Sequence, residues 1–307
     1  MTVSISAVVC THNRAEELEA CLRSLCECPS VALAEVIVVD NASTDRTRLV
    51  AADYADRMPA LCYVYEPRLG LPFARNSGWR AASSDIVLYL DDDAAVTDGA
   101  IDALASLYAR SWDAREAVAV GTRVLPTFID CDGYPDWLHA DFVPYLTQLD
   151  LGQEDRVLGA SEFLVGASFS TPRCVLEDIG GFNENLPAYG MDERWVEEQI
   201  KRLGGRLLYC GRATVQHAVT PVRLQKKWFY RRMYLEGVAA RRLFDLMSPR
   251  GPVPIVLSFV KHALRAPLQF LAGFANVGHR RKQDRFRHFC AGFVSLGHMR
   301  ALWGGLF

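Results

Sequence analysis

Three things are missing from this 307-residue sequence: a paired-cysteine framework, a glycine-rich dinucleotide loop and a long uncharged apolar run. Its nine cysteines are scattered and none are at CxxC spacing, which argues against a zinc framework and leaves free buried thiols in a reducing cytoplasm as the expectation. No GxGxxG follows the first apolar run, so a dinucleotide-binding dehydrogenase is disfavoured. No stretch reaches 18 apolar residues without a charge, so no transmembrane helix is predicted. Met1 to Cys10 is apolar but lacks a basic leading region, so no signal peptide is expected. Basic residues are scarce in residues 1–221, with 18 Lys and Arg against 33 Asp and Glu; acidic residues are scarce in 222–307, with 3 against 16. The formal net charge of −2 hides this split, which predicts different partners for the two parts.

What is present is a strand–helix alternation. Short apolar runs end at Cys10, Val39, Tyr65 and Leu90, and helical patterns separate them. Nearly continuous apolar strands of this kind predict an α/β fold with a mostly parallel central sheet and helices on both faces. Ligands of such sheets bind beyond the carboxyl ends of the strands. Polar residues stand at those ends: Thr11 to Arg14, Asp40 to Ser43, and Asp91-Asp92-Asp93. The spacing predicts helices over about 73–82, 98–110 and 192–203 and a strand over 206–210. It also predicts a long irregular stretch at 126–160 of the kind that is usually functional. From Leu224 onward the pattern is helical and basic, broken at Pro249, Pro252, Pro254 and Pro267.

Three adjacent carboxylates ending a buried strand repel one another unless a cation or basic partner offsets them. A solvated helix-capping turn is the alternative. If an ion is held, oxygen ligands favour Mg²⁺ or Mn²⁺, which also bind phosphate oxygens.

The motifs Val8-Val9-Cys10-Thr11-His12-Asn13-Arg14, Val38-Val39-Asp40-Asn41-Ala42-Ser43, Ala74-Arg75-Asn76-Ser77-Gly78 and Leu90-Asp91-Asp92-Asp93 together resemble glycosyltransferase family 2. The resemblance continues through Gly181-Phe182-Asn183-Glu184, the Asp192-Glu193 helix and Gly204, and covers roughly residues 3–217. It implies the Rossmann-like fold called GT-A, a nucleotide-diphospho-sugar donor (a UDP-sugar above all), and inversion at the anomeric carbon. It implies a transferase domain over 1–221, with a donor half to about 121 and an acceptor half from about 122, followed by a basic amphipathic helical extension over 222–307. It implies donor contacts from Thr11, Asn13, Arg14, Asp40, Asn41, Ser43, Arg75, Asn76, Asp91, Asp92 and Gly166, and metal ligation by Asp93 and Asp91. His217 is either a further ligand or a structural residue, and Trp195 and Arg206 are candidates for the acceptor side.

The family's usual Glu-Asp pair is inverted here as Asp192-Glu193. Helical phase, counted back from Gly204, puts Glu193 at the position of the catalytic base, whereas residue type favours Asp192. A role in bacterial glycan, glycolipid or glycosylated-metabolite synthesis is expected. The alternatives are a sugar-nucleotide nucleotidyltransferase, whose glycine-rich basic loop is missing, and a non-catalytic membrane-recruited nucleotide-sugar-binding protein. In the extension, Lys226, Lys227, Arg231, Arg232, Arg241 and Arg242 alternate with aromatic and aliphatic residues, a pattern suited to an anionic membrane surface. That predicts a cytoplasmic protein, peripheral at the inner face of the membrane. Docking on the protein's own acidic body or on a second copy, as in a homodimer, is the other reading. No nucleic-acid partner is expected.

Overall fold

The computed structural model describes residues 3–58, 60–111, 118–186, 190–248, 252–276 and 282–303. They form two compact units. The first comprises 1–127, 147–184 and 192–218; the second comprises 128–146, 185–191 and 219–307.

Strands β1 (Ile5–Thr11), β2 (Leu33–Asp40), β3 (Leu61–Tyr65) and β4 (Ile86–Asp91) alternate with helices α1 (Ala15–Glu27), α2 (Thr47–Ala55) and α3 (Leu71–Ala81). These four strands pair in parallel, in the order β3-β2-β1-β4. The sheet continues with antiparallel neighbours: β8 (Ser168–Pro172), β6 (Val118–Phe128), β9 (Arg206–Val219) and β5 (Ala94–Val96), with β7 (Arg156–Val157) on β9. The sheet is therefore mixed, and its parallel pairing is confined to the N-terminal strands. Helices α4 (Ala100–Ser111), α5 (Arg173–Ile179) and α6 (Asp192–Arg202) complete the layers.

Side chains alternate faces along a strand, so burying both faces requires both sets to be apolar. Ile5, Ala7 and Val9 join Leu18, Leu22 and Leu25 of α1 and Leu104 of α4 in one core. Val8, Ile37 and Val39 face the other way, into a core shared with Ala74 of α3 and with Val196 and Ile200 of α6. Burial of this kind contributes about 25 cal/mol per Å² of apolar surface, and it fixes the register. That register sets Thr11 beside Asp40 and Cys10 beside Asp91, bringing three polar strand ends into one row.

The second unit holds helices α7 (Lys226–Met247), α8 (Pro252–Ala275) and α9 (Lys282–Trp303). Its core joins Phe229 and Met233 to Phe286 and Cys290, with Leu138, Phe142 and Leu146 added from the 128–146 segment. The stretch expected to be an irregular functional loop is thus partly core-forming, because Trp137 packs 4.7 Å and Phe142 5.1 Å from the Phe286 ring. Helices α7 and α9 cross at a pair of glycines: a Cβ at Gly237 would lie 2.1 Å from the Val294 carbonyl oxygen, and one at Gly297 2.0 Å from that of Tyr234. Pro252 and Pro254 open α8, where a missing N–H costs little, and Pro267 is accommodated inside it rather than breaking it. Pro249 lies outside the described residues.

Two further expectations change. Cys26, Cys62 and Cys174 are exposed rather than buried, and all nine thiols are free. Among the described residues, the window Pro254–Ala275 is long and apolar enough to cross a membrane despite Lys261 and Arg265.

Candidate functional site

At the carboxyl end of β4 the acidic triplet divides its duties. Asp92 is buried; its carboxylate accepts from the Thr11 hydroxyl at 2.8 Å and from Arg14 Nη1 at 2.6 Å. Burial outweighs the pull of Arg14 and raises the Asp92 carboxyl to about 7. Asp92, expected among the donor contacts, thus ties the end of β4 to Thr11 and Arg14 of the first loop. Asp93 accepts from Arg14 Nη2 at 2.8 Å and lies 3.0 Å from His217 Nε2. Asp91 is partly exposed, with an oxygen 3.9 Å from the same nitrogen.

His217 comes to the triplet because β9 pairs with β5, setting His217 opposite Ala94, and the Ala218 N–H bonds the Asp93 carbonyl at 3.0 Å. One donor atom from each of Asp91, Asp93 and His217 falls within 4.8 Å of the others. Two carboxylates and an imidazole make a mixed oxygen and nitrogen donor set of the kind that can hold a divalent cation.

The first two loops lock together. The Asn13 N–H donates to Ser43 Oγ at 3.0 Å, and the Thr44 N–H to Asn13 Oδ1 at 2.7 Å; Asn13 itself takes a positive φ of 53°. His12 Nδ1 lies 2.8 Å from the Asn41 carbonyl oxygen. Asp40 is buried, accepting from the Ser43 N–H at 2.8 Å and the Tyr63 hydroxyl at 2.6 Å.

Two amides expected to touch the donor bond the backbone of neighbouring segments. Asn41 donates to the Glu66 and Arg68 carbonyls and accepts from the Gly70 N–H at 2.8 Å. Asn76 donates to the Phe182 carbonyl and accepts from the Phe182 N–H, both at 2.9 Å. Asn41 therefore clamps the loop before α3, and Asn76 the turn before Glu184. Glu66, which the sequence did not single out, braces the same region: bonds from Arg68 and Ser77 hold its carboxyl down at about 2.

Arg75 of α3 occupies the floor. It is buried, in contact with Asp192, 3.5 Å from Glu193 and 3.7 Å from Asp91, and it donates to the Gly166 carbonyl at 3.3 Å. Its guanidinium, expected at the donor, draws Asp91, Asp192 and Glu193 around one cation. Gly166 fits between these groups because a Cβ there would meet Arg75 Nη2 at 2.9 Å and the Glu193 carboxyl carbon at 3.4 Å.

The Asp-Glu pair splits in exposure. The Asp192 side chain is 1% exposed and that of Glu193 24%. One turn on, the sequence reading missed Glu197, which is fully buried and accepts from the Leu164 N–H at 3.1 Å. Burial outweighs Arg194 and pushes its carboxyl up to about 8. Its signal was an acid directly beside Val196 on a helix face that packs inward.

Trp195 packs against the second core. Arg206 is not brought to the crevice: it begins β9 eleven residues before His217, on the order of 35 Å along a strand. It lines a separate cleft of about 310 Å³ with Arg110, Arg156, Arg212 and Asp155.

Comparison with known proteins agrees with this architecture. Residues 6–136 match the family described as Glycosyl transferase family 2. The chain is 26% identical over 263 residues to the glucosyl-dolichyl phosphate glucuronosyltransferase of Haloferax volcanii, covering 81% of this chain and 80% of that one. A mannosyltransferase, PcManGT from Pyrobaculum calidifontis, solved with GDP-Man and Mn²⁺, aligns with a TM-score of 0.63 at 22% identity, over 99% of this chain and 88% of its own. S. aureus TarS 1-349 with UDP-GlcNAc aligns with a TM-score of 0.56 at 13% identity, over 98% and 92%.

Proposed function

The chain is a glycosyltransferase of family 2 with the GT-A fold, and on that premise we propose that it is a metal-dependent inverting enzyme using a nucleotide-diphospho-sugar. The observation that carries the proposal is the convergence of Asp91, Asp93 and His217 at the end of β4, beside the partly exposed Glu193 held by Arg75. A divalent ion there would supply a counter-charge for the departing diphosphate.

The chain's own residues do the rest. Glu193, the more exposed of the pair, takes the proton of the acceptor hydroxyl while that oxygen attacks the anomeric carbon. The bond from that carbon to the diphosphate oxygen breaks, its electron pair leaves with the nucleotide diphosphate, and one displacement inverts the centre. Asp192 stays buried as the partner that orients Arg75. Arg14, 36% exposed in its side chain and bonded to Asp92 and Asp93, is the more exposed of the two arginines at the triplet and the one we propose meets the donor's phosphates.

UDP-sugars are the proposed donors, and the GDP-sugar of the Pyrobaculum relative makes a GDP-sugar the second choice to test. The basic extension is proposed to hold the enzyme at an anionic membrane surface on the cytoplasmic side, because 222–307 carry 16 basic residues against 3 acidic.

The test is donor hydrolysis and transfer across a panel of nucleotide sugars with Mn²⁺, with Mg²⁺ and after chelation. Turnover should vanish on chelation and return with the ion. Glu193→Gln should lose roughly 10²–10⁴ in rate with donor affinity kept. Normal turnover by Glu193→Gln together with a dead Asp192→Asn would move the base to Asp192.

A further inference from the structure

Helix α8 contains no acidic residue and shows two unlike faces. Its inner face is held against α9: Ala266 is buried, a Cβ on Gly273 would lie 3.1 Å from the Phe289 ring, and Phe270 packs 5.3 Å from Phe293. Its outer face is bare. Leu257, Val260, Leu264, Leu268 and Leu271 are each 47–65% exposed and recur every three or four residues, which places them in one stripe along the helix. From Leu257 to Leu271 the stripe runs roughly 21 Å at 1.5 Å per residue. Lys261 and Arg265 are exposed along one flank. Only 6% of the Pro254–Ala275 window is buried, which sets α8 apart from the core helix of a soluble bundle.

We propose that this stripe is a lipid-docking surface: α8 lies in the plane of an anionic bilayer with its leucines among the acyl chains and Lys261 and Arg265 at the phosphates. The inference rests on the membrane association proposed above and names the element that inserts. Charge decides the occupant. A second copy of α8 laid on this face would bring Lys261 and Arg265 near their own counterparts with no carboxylate on either helix, whereas an anionic headgroup layer supplies the missing sign. Packing decides the orientation. Crossing the membrane would draw α9 in beside α8, and α9 carries Lys282, Asp284, Arg285 and Arg287, which are costly to move into hydrocarbon. An in-plane helix leaves those groups in water.

The experiment uses the full chain and sedimentation with vesicles of phosphatidylcholine alone or mixed with phosphatidylglycerol, without donor or acceptor. Wild type should partition onto the anionic vesicles. Leu264→Glu/Leu268→Glu, two substitutions at exposed positions, should bind roughly tenfold more weakly or worse at an unchanged melting temperature. In a second variant, Leu268→Trp, the indole emission should shift to the blue on binding. Undiminished binding by the double glutamate variant, or no blue shift from bound Leu268→Trp, overturns the assignment to α8; if the binding is still abolished by salt, association through other cations survives. If wild type ignores every vesicle, both readings fail. A wild-type dimer that the glutamates dissociate, with no vesicle binding, would give the face to a second copy.

Discussion

The Arg75 cluster yields the most quantitative test of the site. One buried guanidinium faces Asp192, Glu193 and Asp91, and the Asp192 side chain is 1% exposed. Arg75→Met keeps a long apolar stem between the Tyr89 and Phe182 rings, over which the guanidinium sits at 5.7 and 5.5 Å, but removes the charge. Leaving a buried charge without its partner costs about 3–5 kcal/mol, and at about 2 °C per kcal/mol for a chain of this size the melting temperature should fall by roughly 6–10 °C.

Acidity should soften the loss. Burial raises the Asp192 carboxyl above the usual range even beside Arg75, and without Arg75 it rises further. A carboxyl raised in the folded state adds stability that is complete below its unfolded pKa and lost as pH climbs through the folded one. The penalty for Arg75→Met should therefore be larger at pH ~8.5 than at pH ~6. Adding Asp192→Asn should recover most of it, because a neutral amide needs no counter-charge. Calorimetric melting of wild type, both single variants and the double variant at the two pH values measures the coupling. A drop under about 2 °C at the higher pH, or losses that simply add in the double variant, would refute the account of a single shared cation.

Two further predictions concern neighbouring groups. Asp93→Asn and His217→Ala should each weaken Mn²⁺ binding at least tenfold (an order-of-magnitude expectation for losing a ligand or its support), read from the free-ion electron paramagnetic resonance signal. Asp92→Asn, whose carboxylate serves Thr11 and Arg14, should weaken it less, and the reverse ranking would contradict the ligand set. Glu197, raised from the ordinary 4.5 to about 8, should make stability decline as pH rises between those values, by at most about 1.4 kcal/mol per unit. Glu197→Gln should flatten that stretch of the stability curve while keeping an oxygen for the Leu164 N–H, and an unchanged slope would show that Glu197 does not titrate there.

Much of the donor half was legible because its strands bury both faces. Apolar runs that stop abruptly at Thr11, Asp40 and Asp91 announce strand ends, and parallel register then brings those ends together. The role of His217 was only half legible, since its approach depends on β9 running on to Val219 rather than stopping near Cys210. The strand-like run Ala213–Gln216 before His217 hints at the extra length, and burial alternates along it from Arg212 onward. The bracing roles of Asn41 and Asn76 were not legible, because the backbone groups they satisfy lie 25 to 106 residues away and leave no local trace. The distance of Arg206 from the crevice was not legible either, because a strand expected to end near Cys210 runs on to Val219 and sets Arg206 and His217 eleven residues apart on it. In the C-terminal segment the composition announced basic helices, but Arg241 is buried against Asp245 and Phe244, so not every cation there is on offer to a partner.

Arg14 has a consequence for the life of the protein before it turns over any sugar. By bonding Asp92 and Asp93 together it supplies the triplet with a positive charge from within the chain. A newly made molecule therefore does not have to capture a divalent ion to complete its fold, as a zinc finger does. If turnover needs a divalent ion, as proposed above, cellular demand for it should follow the number of enzyme molecules at work rather than the number synthesised, and a culture starved of that ion should accumulate folded, idle enzyme instead of degrading it.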